Sequence, residues 1–290
     1  MTISIKTETI GPVDENSSGM SRRSFFKGAT VVGAGSAIGL AALIKGIPAF
    51  GQEADTANQA DETSPGGLKS GDRAILVAAE IAEALAVTTY SHIIETAPFF
   101  GRLPSDDRGY LVAAREEEMS HYLLEKSVTD ESTPFTRFFY PKDMFADAQT
   151  TLDILVTLED AFIAAYLVGV RNFSTSDLRV TAARIMGIES DHRTLARVLG
   201  GDVAKGDGGP ITKITGAQGV KENADPPNNN GYERTLCWTN ISQAVKALLP
   251  FVDKSSARAA GFDTEKSYPF DPFTPTLPFK LGNFISFKGC

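Results

Sequence analysis

Two of the three histidines in this 290-residue chain each stand three residues after a glutamate, in Glu118-x-x-His121 and Glu189-x-x-His192. Three residues is close to one helical turn, so on a helix each pair puts a carboxylate and an imidazole on the same face. Glutamate occupies 17 of the 290 positions, so two given histidines both having one at that offset by chance falls below about 1%. A second pattern interleaves with the first. Glu83 and Glu159 are each followed seven residues later by a tyrosine, Tyr90 and Tyr166, two turns along one stripe. The order along the chain is Glu, Glu-x-x-His, Glu, Glu-x-x-His, a two-fold repeat in chemistry whose surrounding sequence has diverged.

Four helical segments carry these residues. The first spans about 72–95, without Gly or Pro and stopped before Pro98. The second starts at the capping cluster Ser105-Asp106-Asp107 and runs to about Val128. A third covers about 144–170. A fourth starts after Ser174-Thr175-Ser176 and stops at Gly200-Gly201. On a seven-residue period the seams read Leu76, Ala79, Glu83, Ala86, Tyr90; Leu111, Ala114, Glu118, His121; Leu152, Leu155, Glu159, Phe162, Tyr166; and Ala182, Ile185, Glu189, His192. Short loops make two antiparallel hairpins. Between them, Pro134-Phe135-Thr136-Arg137-Phe138-Phe139-Tyr140-Pro141 is long enough, at ~3.3 Å per extended residue, to return along a helix of ~30 Å. That lets the third helix run parallel to the second.

Four inward carboxylates without counter-charge would each cost several kcal/mol or take up protons. Residues 74–95 and 144–170 contain no Lys or Arg, so in-helix ion pairs cannot neutralise Glu83 or Glu159. Two divalent cations would neutralise all four acids and leave one imidazole for each. Oxygen and nitrogen donors without thiolate suit iron or manganese rather than structural zinc. The competing reading is a metal-free bundle whose acids pair with Arg184, Arg193 or Arg197 on the fourth segment.

On these residues the chain resembles the ferritin-like superfamily, over about 72–199. The resemblance implies an all-α, four-helix bundle with a long crossover between helices two and three, followed here by a C-terminal helix and an extended tail. It further implies that Glu83, Glu118 and His121 hold one metal and Glu159, Glu189 and His192 the other, with Glu118 and Glu189 bridging. The implied cofactor is two iron or manganese ions, and the implied co-reactant is O₂ or peroxide. Tyr90 and Tyr166 match an aromatic near the site in ferritin-like helices, as hydrogen bonders behind the ligands or as redox partners. For the tyrosines alone, ordinary core packing is the alternative. The chain has no cysteine pairs of the kind that form a rubredoxin-like module. Three functions follow as expectations: a redox enzyme (oxidase, ferroxidase or peroxide scavenger), a metal-binding or storage protein without turnover, or a metal-free structural bundle.

Other candidates are weaker. His92 lies off the seam and reads as a surface or loop-capping residue. Glu116 and Glu117 read as the solvated face of helix two, although Glu117 would replace Glu118 if the helix were rotated. Asp191 is either a surface acid or an acceptor that orients His192. Asp153 and Glu80 read as extra polar contacts rather than ligands.

The ends of the chain carry different information. Arg22-Arg23 ahead of Phe25 and Lys27, an apolar run from Ala29 to Ile44 and small residues at Ala49-Phe50-Gly51 resemble a twin-arginine export signal over 1–51. The implied partner is the twin-arginine export machinery, and the implied destination is periplasmic or extracellular. Residues 52–70 read as a flexible linker, 71–200 as the bundle and 201–290 as a C-terminal loop, helix and Pro/Phe-rich tail. The helix is expected within 239–249. The tail packs on its own bundle or on a neighbouring subunit of a homo-oligomer, with an exposed tail as the alternative.

Net charge is −8 with 28 basic and 36 acidic residues, and no basic block lies outside the leader, which excludes nucleic acid as a partner. Cleavage after Gly51 removes five basic and three acidic residues, leaving 23 against 33, a net of −10. Two cysteines are too few for a disulfide scaffold. Whether Cys237 and Cys290 pair stays open in either direction.

Overall fold

The computed structural model describes residues 68–130, 132–205 and 236–276. The leader at 1–51, most of the linker, the loop at 206–235, the last residues of the tail and Cys290 lie outside these residues, as does any pairing of Cys290 with the exposed Cys237.

Four long helices form the bundle: α1 (Ser70–Thr96), α2 (Ser105–Thr129), α3 (Ala148–Asn172) and α4 (Ser176–Lys205). α1 lacks any cation beyond Arg73 and is long and apolar enough to cross a membrane, yet 89% of its most apolar window is buried in the protein. It is the core helix. Asp147 caps α3 by accepting from the Thr150 backbone N–H at 2.7 Å, and Thr175 Oγ1 accepts from the Leu178 N–H at 3.2 Å at the start of α4. Three boundaries differ from the sequence reading, the first being that α3 starts at Ala148 rather than near 144, with a separate 3-10 turn at Met144–Ala146 before it. Pro104, not the Ser105 cluster, is the N-cap of α2 and makes no side-chain bond. Asp106 and Asp107 instead sit in the first turn, where they face the positive end of the helix dipole. α4 also continues through Gly200 and Gly201 to Lys205.

The helix directions are fixed by what meets at one end of the bundle. Ile75 and Leu76 of α1, Leu124 of α2, Tyr166 of α3 and Phe173 just beyond its end, and Ala182 and Ile185 of α4 form one apolar cluster. The start of α1 therefore lies beside the ends of α2 and α3 and the start of α4. Asp72 ties this end together by accepting from Ser174 N at 2.8 Å, in the α3–α4 turn. α2 and α3 run in the same direction, and the segment between them traverses the bundle, as the length argument required. α3 and α4 approach closely at Gly169, where a Cβ would lie 2.8 Å from the Phe173 ring and 3.3 Å from Ala182 Cβ.

The crossover is not merely extended. Residues 137–141 form β1 (Arg137–Pro141), which pairs antiparallel with β2 (Phe262–Pro269) from the C-terminal region. Phe138 lies opposite Tyr268, and Tyr140 opposite Asp263, with an irregularity between them. Alternate side chains of β1 point inward, so Phe138 and Tyr140 are both wholly buried. Tyr140 meets the rings of Phe145, Phe251 and Tyr268 edge-on at 5.1–5.8 Å. Its hydroxyl is 2.9 Å from Thr89 Oγ1 on α1.

The expected C-terminal helix is α5 (Ile241–Val252), opened by a reciprocal capping box between Asn240 and Gln243. A short α6 (Lys254–Ala259) follows, and Gly261, at φ +77°, takes the left-handed conformation that turns the chain into β2. Beyond β2 the described tail packs on its own α2. Phe270 stacks edge-on against Tyr122 at 4.9 Å, Phe273 lies under the Arg115 guanidinium at 5.0 Å, and Thr276 bonds Glu116 through both N–H and Oγ1.

Candidate metal centre

Glu83 of α1, Glu118 and His121 of α2, Glu159 of α3, and Glu189 and His192 of α4 meet at the middle of the bundle. All six are buried, the four carboxylates at 0–1% exposure. Their donor atoms fall into two overlapping groups, Glu83, Glu118, His121, Glu189 and Glu118, Glu159, Glu189, His192, each with its atoms within 4.8 Å of one another. Glu118 and Glu189 belong to both groups, which is where two bridging carboxylates would stand.

The donors aim at space rather than at protein partners. Glu83 Oε2, Glu118 Oε2, Glu159 Oε2, both Glu189 oxygens and His121 Nδ1 are buried with no hydrogen-bond partner among the described residues. His121 Nδ1 lies 3.2–3.6 Å from Glu189, Glu118 and Glu83, near enough for ion pairing but without hydrogen-bond alignment. A plain core does not leave six such atoms together, because each orphan costs about 1–3 kcal/mol. Cations meet all six at once, so the donor set fits a metal pair. The competing cation, Arg193, gives its guanidinium to Asp160 at 2.9 Å.

Neighbours set the electrostatics. Burial pushes the Glu83 and Glu159 carboxyls well above the ordinary range, and the charges of Glu118 and Glu189 add to it. Burial opposes the charge of Glu118 too, but the charge of His192, its bond to Glu118 and the nearby His121 ring outweigh it and hold that carboxyl low. Both imidazoles are desolvated yet held well above their usual values, His121 by Glu83, Glu118 and Glu189, and His192 by Glu118 and Glu117. Without a metal, protons do the neutralising.

The tyrosines are wired crosswise. Tyr90 of α1 donates to Glu159 Oε1 of α3 at 2.7 Å, and Tyr166 of α3 donates to Glu83 Oε1 of α1. Each thus holds the outward oxygen of the other helix's carboxylate and leaves Oε2 for the centre. Tyr90 also packs edge-on against the His192 ring at 5.8 Å. Burial, with the carboxylates beside them, raises both phenols far above their ordinary values, so they are held as donors.

Two acids, Glu117 and Glu116, behave differently from the sequence reading. Glu117 is partly exposed, but its Oε2 lies 2.9 Å from His192 Nε2, while His192 Nδ1 faces Glu118 at 2.8 Å. Glu117 is thus neither a replacement for Glu118 nor a purely solvated acid; it orients the imidazole from behind. That is the role considered for Asp191, which is exposed. Glu116 is buried and holds Thr276 of the tail. Glu80 is buried and accepts from Thr129 Oγ1, a polar contact and not a ligand. His92 is not a surface cap either: its ring packs edge-on against Tyr268 at 4.7 Å, and burial lowers its pKa.

Sequence reasoning missed Glu125. It is buried, and its Oε1 lies 2.6 Å from the Tyr166 hydroxyl; because that hydroxyl's one proton goes to Glu83, the Glu125 carboxyl, pushed up by burial, donates in this contact, while Oε2 has no partner among the described residues. Its signal was present, since it continues the stripe seven residues beyond Glu118.

Residues 71–201, the span that contains this centre, match the family model of the ferritin-like domain. No curated protein and no solved structure matches the chain.

Proposed function

We propose that this chain, whose bundle is a ferritin-like domain, holds two iron or manganese ions at mid-bundle and uses them in redox chemistry toward O₂ or peroxide. The observation that carries the reading is the convergence of six buried side chains in two groups sharing Glu118 and Glu189, with six donor atoms on five of them left without a hydrogen-bond partner among the described residues. Bound there, a metal pair would supply two adjacent centres able to change oxidation state together.

The chain's own residues do the rest. Glu83 and His121 hold one position, Glu159 and His192 the other, and Glu118 and Glu189 span both. Tyr90 and Tyr166 fix the terminal carboxylates by donating to their outer oxygens, and Glu117 fixes the His192 ring. The surrounding apolar core of α1 and α3 excludes water. A twin-arginine leader, read from residues 1–51, supports export of the folded, metal-loaded protein to a periplasmic or extracellular site.

The test is elemental analysis of the purified full chain, followed by assays of peroxide and Fe(II) consumption. Two metals per chain with turnover supports the reading. Metal without turnover makes the protein a binding or storage protein, and no metal makes it a structural bundle.

A further inference from the structure

The two-fold repeat that arranges the centre is broken on one side. Around the centre, Glu83 corresponds to Glu159, Tyr90 to Tyr166, and Glu118-x-x-His121 to Glu189-x-x-His192. The next position on the stripe of α2 is Glu125; on α4 it is Ala196. On the Tyr90 side, Ala196 is buried in the large hydrophobic core. On the Tyr166 side, Glu125 and Tyr166 form part of the wall of a cavity of about 300 Å³. The remaining wall is almost wholly apolar, with Leu76, Leu124, Phe173 and Ile185 among its residues.

This cavity has the parts of a binding site. It is large enough for chains of about eight to ten carbons, since an apolar cavity of roughly half its volume holds benzene. Its far end, at Leu68, Asp177 and Ile241, is made of partly or fully exposed residues, so there is a way in. Its inner end carries one specific polar feature, the buried Glu125 carboxyl. Oε1 is taken by Tyr166, and Oε2 is left without a hydrogen-bond partner among the described residues, with the apolar cavity wall on one side and Glu80, His121 and Glu189 on the bundle side. A buried carboxyl oxygen in that position is costly unless something donates to it, and an apolar cavity favours a donor that arrives on an apolar chain.

We propose that this cavity binds a single medium-chain amphiphile, its hydrocarbon along the wall from α1 to α4 and a hydroxyl head donating to Glu125 Oε2. Tyr166, bonded to both Glu125 and Glu83, places that head one side chain from the metal centre. Binding itself stands apart from the metal reading; that the bound molecule is what the metals act on rests on it.

The test titrates the full-length protein with 1-octanol and with heptyl methyl ether, an isostere that lacks the donor, by calorimetry. Metal content is measured on the same samples. Saturable 1:1 uptake of the alcohol is expected, at least about 10-fold tighter than the ether, because the ether leaves the Glu125 oxygen unpaired. Ala244→Phe fills the cavity from α5, and Ile241→Trp narrows its mouth. Each is expected to weaken uptake by about 10-fold or more while retaining the wild-type circular dichroism and metal content. Glu125→Leu is expected to abolish the preference for alcohol over ether. No saturable uptake, unchanged uptake by both cavity variants, or equal binding of the two probes overturns the proposal. Uptake by protein that holds no metal sustains this site while removing the metal reading; two metals without uptake does the reverse.

Discussion

The two ends of the bundle start from the same design and diverge. At the Tyr90 end, the β1–β2 ribbon, the last turn of α5 and the short α6 lie against the helices, and Phe138, Tyr140, Phe99 and Phe251 fill the interior with rings almost wholly buried. At the Tyr166 end, seven buried residues form a smaller cluster around an open cavity, and Glu80 and Glu125 are buried among apolar neighbours. A metal layer needs only one set of ligands, and both ends supply the same tyrosine behind it. Everything added to the plain bundle is aromatic mass at one end and a polar head with free volume at the other. The difference teaches that the first end is closed by packed rings while the second keeps free volume behind the converging residues.

The sharpest way to break that comparison is at the layer between the ends. Glu118→Ala or Glu189→Ala removes a ligand from both halves, and elemental analysis should show both metals lost. Glu83→Ala and Glu159→Ala should each lose one. These effects should exceed the roughly 10–100-fold loss of affinity typical when an outer hydrogen bond is removed. If Glu83→Ala also empties the Glu159 half, the two halves are not separable.

Stability should divide along the same line. Phe138→Ala at the packed end is expected to cost about 3–5 kcal/mol in chemical denaturation. Leu76→Ala, beside space that already exists, is expected to cost about 2 kcal/mol, at the low end for such truncations. Equal costs would mean that the cavity end is packed as tightly as the other.

A smaller effect separates the two imidazoles. His192 has Glu117 behind it at 2.9 Å, so Glu117→Ala should weaken metal binding by about 10–100-fold in the half containing Glu159 and leave the other half near wild type. A uniform loss would assign Glu117 to general charge rather than to orientation.

The smallest effect is on pH. Glu83, Glu159, His121 and His192 are all shifted upward in the metal-free fold. Each therefore supports the fold at low pH and withdraws that support as pH rises through its raised value. Glu118, shifted downward, works in the opposite sense and gives up its contribution only as pH falls below the carboxylate range. Between pH 6 and 8 the melting temperature of metal-free protein should drop by about 3–5 °C. Saturating Mn(II) should flatten that slope, because the metals replace the protons.

The four helices and the six converging residues were legible because a seven-residue period is local and a mid-stripe acid stands out against leucine. The same reasoning stopped one step short of Glu125, since a lone glutamate near the end of a helix reads as solvent-facing until its neighbours are known. Glu116 and His92 failed for the same reason: what covers them, Thr276 of the tail and Tyr268 of β2, lies far onward in the chain. The ribbon was not legible at all. Phe138 and Tyr140 have strand-forming character, but their partners lie more than 120 residues onward, and no local pattern encodes such a pairing.

That ribbon has a consequence for when the protein becomes complete. Its second strand is made only after residue 261, more than 100 residues after the strand it pairs with, so the crossover cannot be fastened until that later stretch has been translated. Helix hairpins can collapse as they emerge, but the latch that closes over them is synthesised after all four of their helices. A nascent chain stalled or cleaved short of β2 would leave Phe138 and Tyr140 without their cover, so truncation near the C-terminus should expose an aromatic surface far away in sequence, at the middle of the polypeptide.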